Sequence, residues 1–469
     1  VDPETPDSEP TGPAKPEPPA RPAPAEPPVS PEPPEAQPQP PDSAKPAQPP
    51  QPPQPPQPAK RSEPAEPSGP SEPAEPANPE PHRTARRRPY DLPLPTPPQI
   101  LRQGPLREGT FTSALHEPRT TVVIGRWLGA ALLVCFLTGL LSHVLQQPPT
   151  WLRDHLPSRP VDGYRVTQGL HVISGIAAIP LLGAKLWTVY PRLFEWPPAR
   201  SVLHALERLG IAILVSTMLL ELFTGLLNII EWYPWPFPFR QTHFWLAWVA
   251  TGGLLLHVAA KGPMIGQHWR RVSPEFRQRR AFLGSVTAAV AAVTVTTAGQ
   301  TVPWLRHFDL LAPRRPDIGE LGLPITRTAA EAGTTVAPAD WRLRVDGPQP
   351  YELTMDQLLA LPQHQSRLPI SCVEGWSASA HWTGVRIKDL LARAGAPATA
   401  RVRVTSLEAD GPYRIMEMPA AYAQDPLTLL AVRVNGQVLT ADHGYPARII
   451  APNRPGVLQT KWVVRMEVL

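Results

Sequence analysis

The chain has 469 residues, 68 prolines, two cysteines and a net charge of +5. Two thiols exclude a disulfide framework and any four-thiolate zinc or iron–sulfur site. The basic excess is small and sits in loops between apolar runs, a pattern of membrane topology; no nucleic-acid-binding role is expected.

Residues 1–100 hold 37 of the 68 prolines, with runs such as Gln51 to Pro58. Such a segment cannot bury a core and reads as a disordered Pro-rich tail, partly polyproline II. It has no apolar stretch of the kind that marks a signal or transit peptide.

Five apolar stretches follow, over about 122–145, 166–190, 203–230, 244–260 and 281–302. They approach the roughly 20 residues that span a bilayer. A five-helix transmembrane bundle over 120–302 is expected. Trp232, Tyr233, Trp235 and Phe237 fit an interfacial aromatic belt. The second-to-third and fourth-to-fifth loops carry eight Lys and Arg: Arg192, Arg200 and six within 261–280. The other two loops carry four: Arg153, Arg159, Arg165 and Arg240. The eight-charge side is cytoplasmic, so the tail lies inside and everything after Val302 outside. The expected location is a bacterial plasma membrane, with several passes.

His143, His171, His204, His243 and His257 lie in or at the ends of these stretches. His243 and His257 are 14 residues apart, about 21 Å and close to four helical turns, so they share a face. Such a helix offers one axial imidazole to each of two stacked haems. The topology puts His143, His171 and His243 toward the outside, and His204 and His257 toward the inside. The inner pair is then His204 with His257, and the outer pair His243 with His171 or His143. Glu221, the one acid deep in the third stretch, is a candidate proton acceptor for quinol. On these histidines the chain resembles the bacterial di-haem cytochrome b family, the membrane subunits of formate dehydrogenases and nickel hydrogenases. The resemblance implies two b haems, exchange with quinone or quinol, and His171 as the partner of His243. That family has an inner ligand histidine at the start of its first helix, where Arg126 and Trp127 stand here; His204 substitutes for it.

A linker rich in Pro, Gly and Arg covers 303–338. Over 339–469 the pattern turns to short alternating runs beginning at Trp341, Arg401 and Ala431, with short helices at 354–361 and 387–394 between them. That is an α+β domain. Cys372 is its single thiol, in Ser371-Cys372-Val373-Glu374-Gly375-Trp376-Ser377. Arg367, His381 and Arg414 are polar candidates for substrate contact and read first as solvated surface. The cysteine motif looks like that of the sulfite oxidase family, particularly its bacterial methionine sulfoxide reductase branch. The resemblance implies a molybdenum-molybdopterin cofactor with Cys372 as thiolate ligand. It also implies that His443, Arg448 and Lys461, with Arg327, bind the pterin and its phosphate. Arg279 and Arg280, before a mild apolar helix, resemble a twin-arginine export signal, the route of folded, cofactor-loaded domains.

The sequence thus reads as a membrane-bound molybdopterin-dependent oxidoreductase. Electrons pass between the quinone pool, two b haems and an external molybdenum centre acting on a small-molecule oxo-substrate. The alternative is a transmembrane electron-transfer cytochrome b whose outer module binds a partner without metal.

Overall fold

A computed structural model describes residues 114–193, 200–269, 277–312, 314–315 and 318–469, with Thr96 and residues 99–103. The expected Pro-rich tail lies almost wholly outside the described residues. Five helices are long and apolar enough to cross a membrane: α1 (Pro118–Gln146), α2 (Gly163–Leu193), α3 (Val202–Ile229), α4 (Phe239–His268) and α5 (Arg277–Ala298). Large apolar side chains such as Leu133, Leu206, Leu255 and Leu256 stay exposed on their outer faces, as lipid-facing helices require. α1 packs along α2, α3 along α4, and α5 lies on α2. Ser201 caps α3 by accepting from the His204 N–H. The fifth expected stretch runs to residue 302, but α5 ends at Ala298. The chain turns there because the Gln300 carbonyl accepts the Ser377 N–H at 2.7 Å, drawing 299–302 toward the next domain.

That domain holds two sheets. The first has the order β2-β1-β10-β5-β6, built from β1 (Arg342–Asp346), β2 (Tyr351–Thr354), β5 (Val402–Ser406), β6 (Ile415–Met418) and β10 (Val463–Val468). Its first and last strands pair in parallel, Arg344 opposite Arg465, and all other pairs are antiparallel. The second has the order β3-β4-β7-β8, with β9 also on β7, built from β3 (His364–Ser371), β4 (Ser377–Arg386), β7 (Leu429–Val434), β8 (Gln437–Val438) and β9 (Arg448–Ile450). The alternation read from the sequence is the burial alternation of β5, whose Val402 and Val404 point inward. Helices α6 (Met355–Ala360) and α7 (Ile387–Arg393) close the core with Leu358, Leu390 and Leu391. Part of the stretch assigned to a linker belongs to this domain. Leu323 is buried in the core of the second sheet, and Ala329 and Ala332 pack on Trp462.

The sheet domain and the helix ends share one core. Leu145, Leu156 and Tyr164 belong to the same buried cluster as Leu343, Val404 and Met466. Polar contacts seal the boundary. Arg159 grips the buried Asp425 with two hydrogen bonds of 3.0 Å, and Ser158 adds a third of 2.8 Å. Asn453 accepts the Tyr164 N–H at 2.7 Å and donates to the Pro157 carbonyl at 2.8 Å. Arg153 reaches Glu417 at 2.7 Å.

Candidate functional site

Cys372 follows β3 directly and sits in a tight turn before β4. Its N–H donates to the Trp376 carbonyl at 2.9 Å, and the Gly375 N–H returns to the Cys372 carbonyl at 3.2 Å. The Ser371 and Ser377 hydroxyls brace the turn's base at 2.7 Å. Gly375 has φ +100, and a Cβ there would lie 2.7 Å from Val172 of α2, so the turn touches the helix bundle only because this residue is glycine. Two further bonds fix the contact: Gln168 Nε2 of α2 donates to the Val373 carbonyl at 2.7 Å, and Thr301 Oγ1 donates to the Gly375 carbonyl.

The thiol is buried and pushed up to about 12, first by burial and then by the Glu374 carboxylate. Burial also pushes Glu374 up, against the pull of Arg314, whose Nε lies 3.1 Å from it. Arg314 also pairs with Glu231. A thiol so protonated is a poor nucleophile. A bound cation of high charge deprotonates such a ligand outright.

Cys372 opens on a cavity of ≈ 1010 Å³, which also takes in Arg327, His443, Arg448 and Lys461. The structure therefore brings together the five residues that the resemblance assigns to the cofactor. His443 is held at Nδ1 by Thr440 Oγ1, at 2.8 Å, while its Nε2 has no partner among the described residues. Burial, then the Arg448 charge, keeps its ring below the usual histidine range. Arg448 donates to the His443 carbonyl at 3.0 Å, and its Nε is unpartnered among the described residues. Burial lowers it to about 10. Lys461 is lowered to about 7 by burial and then by Arg448, and its Nζ donates to the Arg327 and Asp442 carbonyls, each at 2.7 Å. Gln459 Oε1 and Thr460 Oγ1 on the same walls are likewise unpartnered among the described residues. Buried polar atoms are almost always hydrogen-bonded, so four orphans around one cavity call for a polar ligand. Two cations that burial depresses stand beside them and suit an anion. This donor set fits a pterin with a phosphate, and the soft sulfur fits a metal. Arg327 lines the cavity but spends its guanidinium on Glu408. Arg367, His381 and Arg414 are exposed and line neither this cavity nor the one in the bundle.

The second cavity, of ≈ 1430 Å³, runs through the bundle and is lined by all five histidines. His171 and His243 face each other with ring centroids 6.1 Å apart and planes at 86°. His171 Nδ1 is 2.9 Å from the Cys135 carbonyl, and His243 Nδ1 is 3.0 Å from Thr224 Oγ1 and 3.1 Å from Glu221 Oε2. With each Nδ1 so engaged, Nε2 is the atom left to coordinate. Gly139 lets α1 approach, since a Cβ there would meet His171 Nδ1 at 2.5 Å. His143 stacks on Phe244, centroids 4.0 Å apart. His257 has a buried Nδ1 without a partner among the described residues, and His204 Nδ1 accepts from the Arg200 N–H at 3.1 Å. Among the described residues no ring contact joins these two. Arg279 bonds Glu117 at 2.7 Å and Thr120 at 3.1 Å.

The sequence profile described as "Oxidoreductase molybdopterin binding domain" matches residues 330–469. Those residues carry Cys372, His443, Arg448 and Lys461 in the chamber just described. Residues 330–469 form a molybdopterin domain of the sulfite oxidase family. The chain is 31% identical over 160 residues to "Sulfite oxidase, mitochondrial" of Mus musculus, covering 28% of this chain and 29% of that protein. It is 31% identical over 206 residues to "Protein-methionine-sulfoxide reductase catalytic subunit MsrP" of Ralstonia nicotianae, covering 40% of this chain and 61% of that protein. It is 35% identical over 165 residues to "Putative protein-methionine-sulfoxide reductase subunit YedZ1" of Azospira oryzae, covering 34% of this chain and 62% of that protein. The chain spans less than two thirds of each of these relatives. The chamber residues not anticipated from sequence include Thr326, Glu374, Gln459, Thr460, Tyr413 and Arg240. Of these only Arg240 left a signal, as a lone cation at the start of an apolar helix.

Proposed function

We propose that this chain is a membrane-bound oxidoreductase that draws electrons from quinol, carries them through the helix bundle and uses them to remove oxygen from a small oxo-substrate outside the cytoplasm. One observation carries the coupling of the two halves. Val373, next to Cys372, lines the bundle cavity and takes the hydrogen bond of Gln168, one helical turn before His171. When bound, the molybdenum cofactor supplies two-electron oxygen-atom transfer and two b haems supply one-electron steps.

In this reading Cys372 holds the metal, and His443, Arg448 and Lys461 hold the pterin and its phosphate. His171 and His243 hold the outer haem. The two rings face each other with centroids 6.1 Å apart and with both Nδ1 atoms engaged, so each Nε2 would be the atom that holds the group. The bundle cavity also exceeds the roughly 300–1,000 Å³ typical of one small ligand. His204 and His257, on its inner part, hold the second haem. Glu221 orients His243 through Oε2 and, in this reading, also serves as the proton acceptor for quinol. The reductive direction follows the relatives named as sulfoxide reductases.

The test is a metal, pterin and haem count on the purified protein with optical spectra. One molybdenum, one pterin and two b haems per chain are expected; a metal-free outer domain would overturn the proposal. A reporter active only outside the cytoplasm, fused after Leu469, should work, and one in the loop at Ser273 should fail.

A further inference from the structure

The chamber over Cys372 is not walled by the molybdopterin domain alone. Tyr233 and Phe237, from the segment joining α3 to α4, and Arg240, from the first turn of α4, line it together with Tyr413 of the β5–β6 loop. Arg240 donates from Nη1 to the Tyr413 hydroxyl at 2.7 Å, and its guanidinium stands 5.8 Å from that ring's centroid. Of the other lining cations, Arg448 donates to the His443 carbonyl and is assigned with Lys461 to the pterin, while Arg327 and Lys461, and Arg314 behind the wall, have partners of their own. Arg314 bridges Glu231 and Glu374, Arg327 pairs with Glu408, and Lys461 is held by two backbone carbonyls. Arg240 has no carboxylate within ion-pair distance among the described residues. A guanidinium has five N–H donors, and one phenol engages only one of them. Its place is also unfavourable, because a cation in the first turn of a helix opposes the helix dipole. A residue set against its local electrostatics on an active-site wall is where function overrides fold.

We propose that Arg240 binds the oxo group of the substrate, so that the membrane domain supplies a substrate-binding residue to the molybdopterin domain. This rests on reading the chamber as the place of oxygen-atom transfer. The ligand class is a small molecule with an exposed acceptor oxygen, on sulfur or nitrogen, whose apolar remainder lies against Tyr233 and Phe237. A planar fork suits such an oxygen better than an ammonium does.

The test uses the full-length, cofactor-loaded protein, in which Arg448 and Lys461 are engaged. Sulfate, a non-reacting oxyanion, is titrated by calorimetry, and turnover of dimethyl sulfoxide is followed with and without sulfate. Wild type should bind sulfate, and sulfate should compete with the sulfoxide. Arg240→Gln should weaken sulfate binding and raise KM by at least about tenfold, the reach of a charge-assisted hydrogen bond, with kcat within about threefold. Arg240→Lys should recover part of the loss. Tyr413→Phe, which removes only the hydroxyl that holds the guanidinium, should show a smaller shift in the same direction. It carries the test if Arg240→Gln loses molybdenum. Absence of sulfate binding by wild type, or unchanged sulfate affinity and KM in the variants, would overturn the proposal. Cys372→Ser separates the two claims: sulfoxide turnover that survives it sinks the reading of the chamber, whereas unaltered Arg240 variants beside a dead Cys372→Ser sink only the role of Arg240.

Discussion

The two cavities of this chain solve opposite problems. The bundle cavity is bordered by apolar side chains and by imidazoles, of which His171 and His243 lean their Nδ1 atoms on neighbouring helices. The chamber over Cys372 is bordered by buried cations and by polar atoms left without partners. Neutral ligand atoms tolerate an apolar surrounding and need only orientation. Buried charges and orphaned donors cost free energy unless a ligand completes them. In the proposed reading the helix bundle holds its site with a few spaced histidines. The chamber over Cys372 is assembled mainly from loops of the sheet domain, with Tyr233, Phe237 and Arg240 added from the bundle.

Breaking each site by itself should sharpen this contrast. The largest effect is expected from Cys372→Ser. Serine is a hard alcohol and a poor substitute for a soft thiolate. Turnover per haem should vanish and molybdenum content fall, while haem spectra stay unchanged. Wild-type activity per haem would remove Cys372 from the chemistry. Next, His171→Ala and His243→Ala should each remove about one haem per chain, while His143→Ala, whose ring only stacks on Phe244, should remove none. Pyridine haemochrome counts on the purified variants check this, and haem loss from His143→Ala alone would reverse the pairing.

A smaller effect concerns Lys461, which burial lowers to about 7. In cofactor-free protein its charge is lost as pH rises through 7, so inorganic phosphate should bind more weakly at pH 8 than at pH 6. The folding term has the opposite sign. Between about 7 and the unfolded lysine value near 10.4 the unfolded chain binds more protons, so stability from this group rises with pH. Lys461→Met should flatten both trends, seen by calorimetry and denaturant titration across pH 6–8. The smallest effect is at the boundary between the two regions. Asp425→Ala leaves Arg159 and Ser158 without their acceptor. Arg159 is half exposed, so the loss should be about 1–2 kcal/mol, with both sites still loaded. A loss of haem in this variant would mean that docking, and not only ligation, holds the bundle site.

Much of this architecture was written in local pattern. Helix length, apolar content and the 14-residue spacing of His243 and His257 are one-dimensional quantities, and the bundle follows from them because a membrane span is a local structure. The alternation around Val402 and Val404, and the motif around Cys372, are equally local. What the tertiary structure alone decided is where separate segments meet. The turn 372–376 lies on α2 through Gln168 and Val172, part of the supposed linker enters the core through Leu323, and Arg240 of a membrane helix faces Tyr413 of a sheet loop. Gln168 and Val373 are 205 residues apart in sequence, and Arg240 and Tyr413 are 173 apart. Their contacts arise from burying one continuous apolar core across the helix ends and the first sheet, and no periodicity within either segment encodes that.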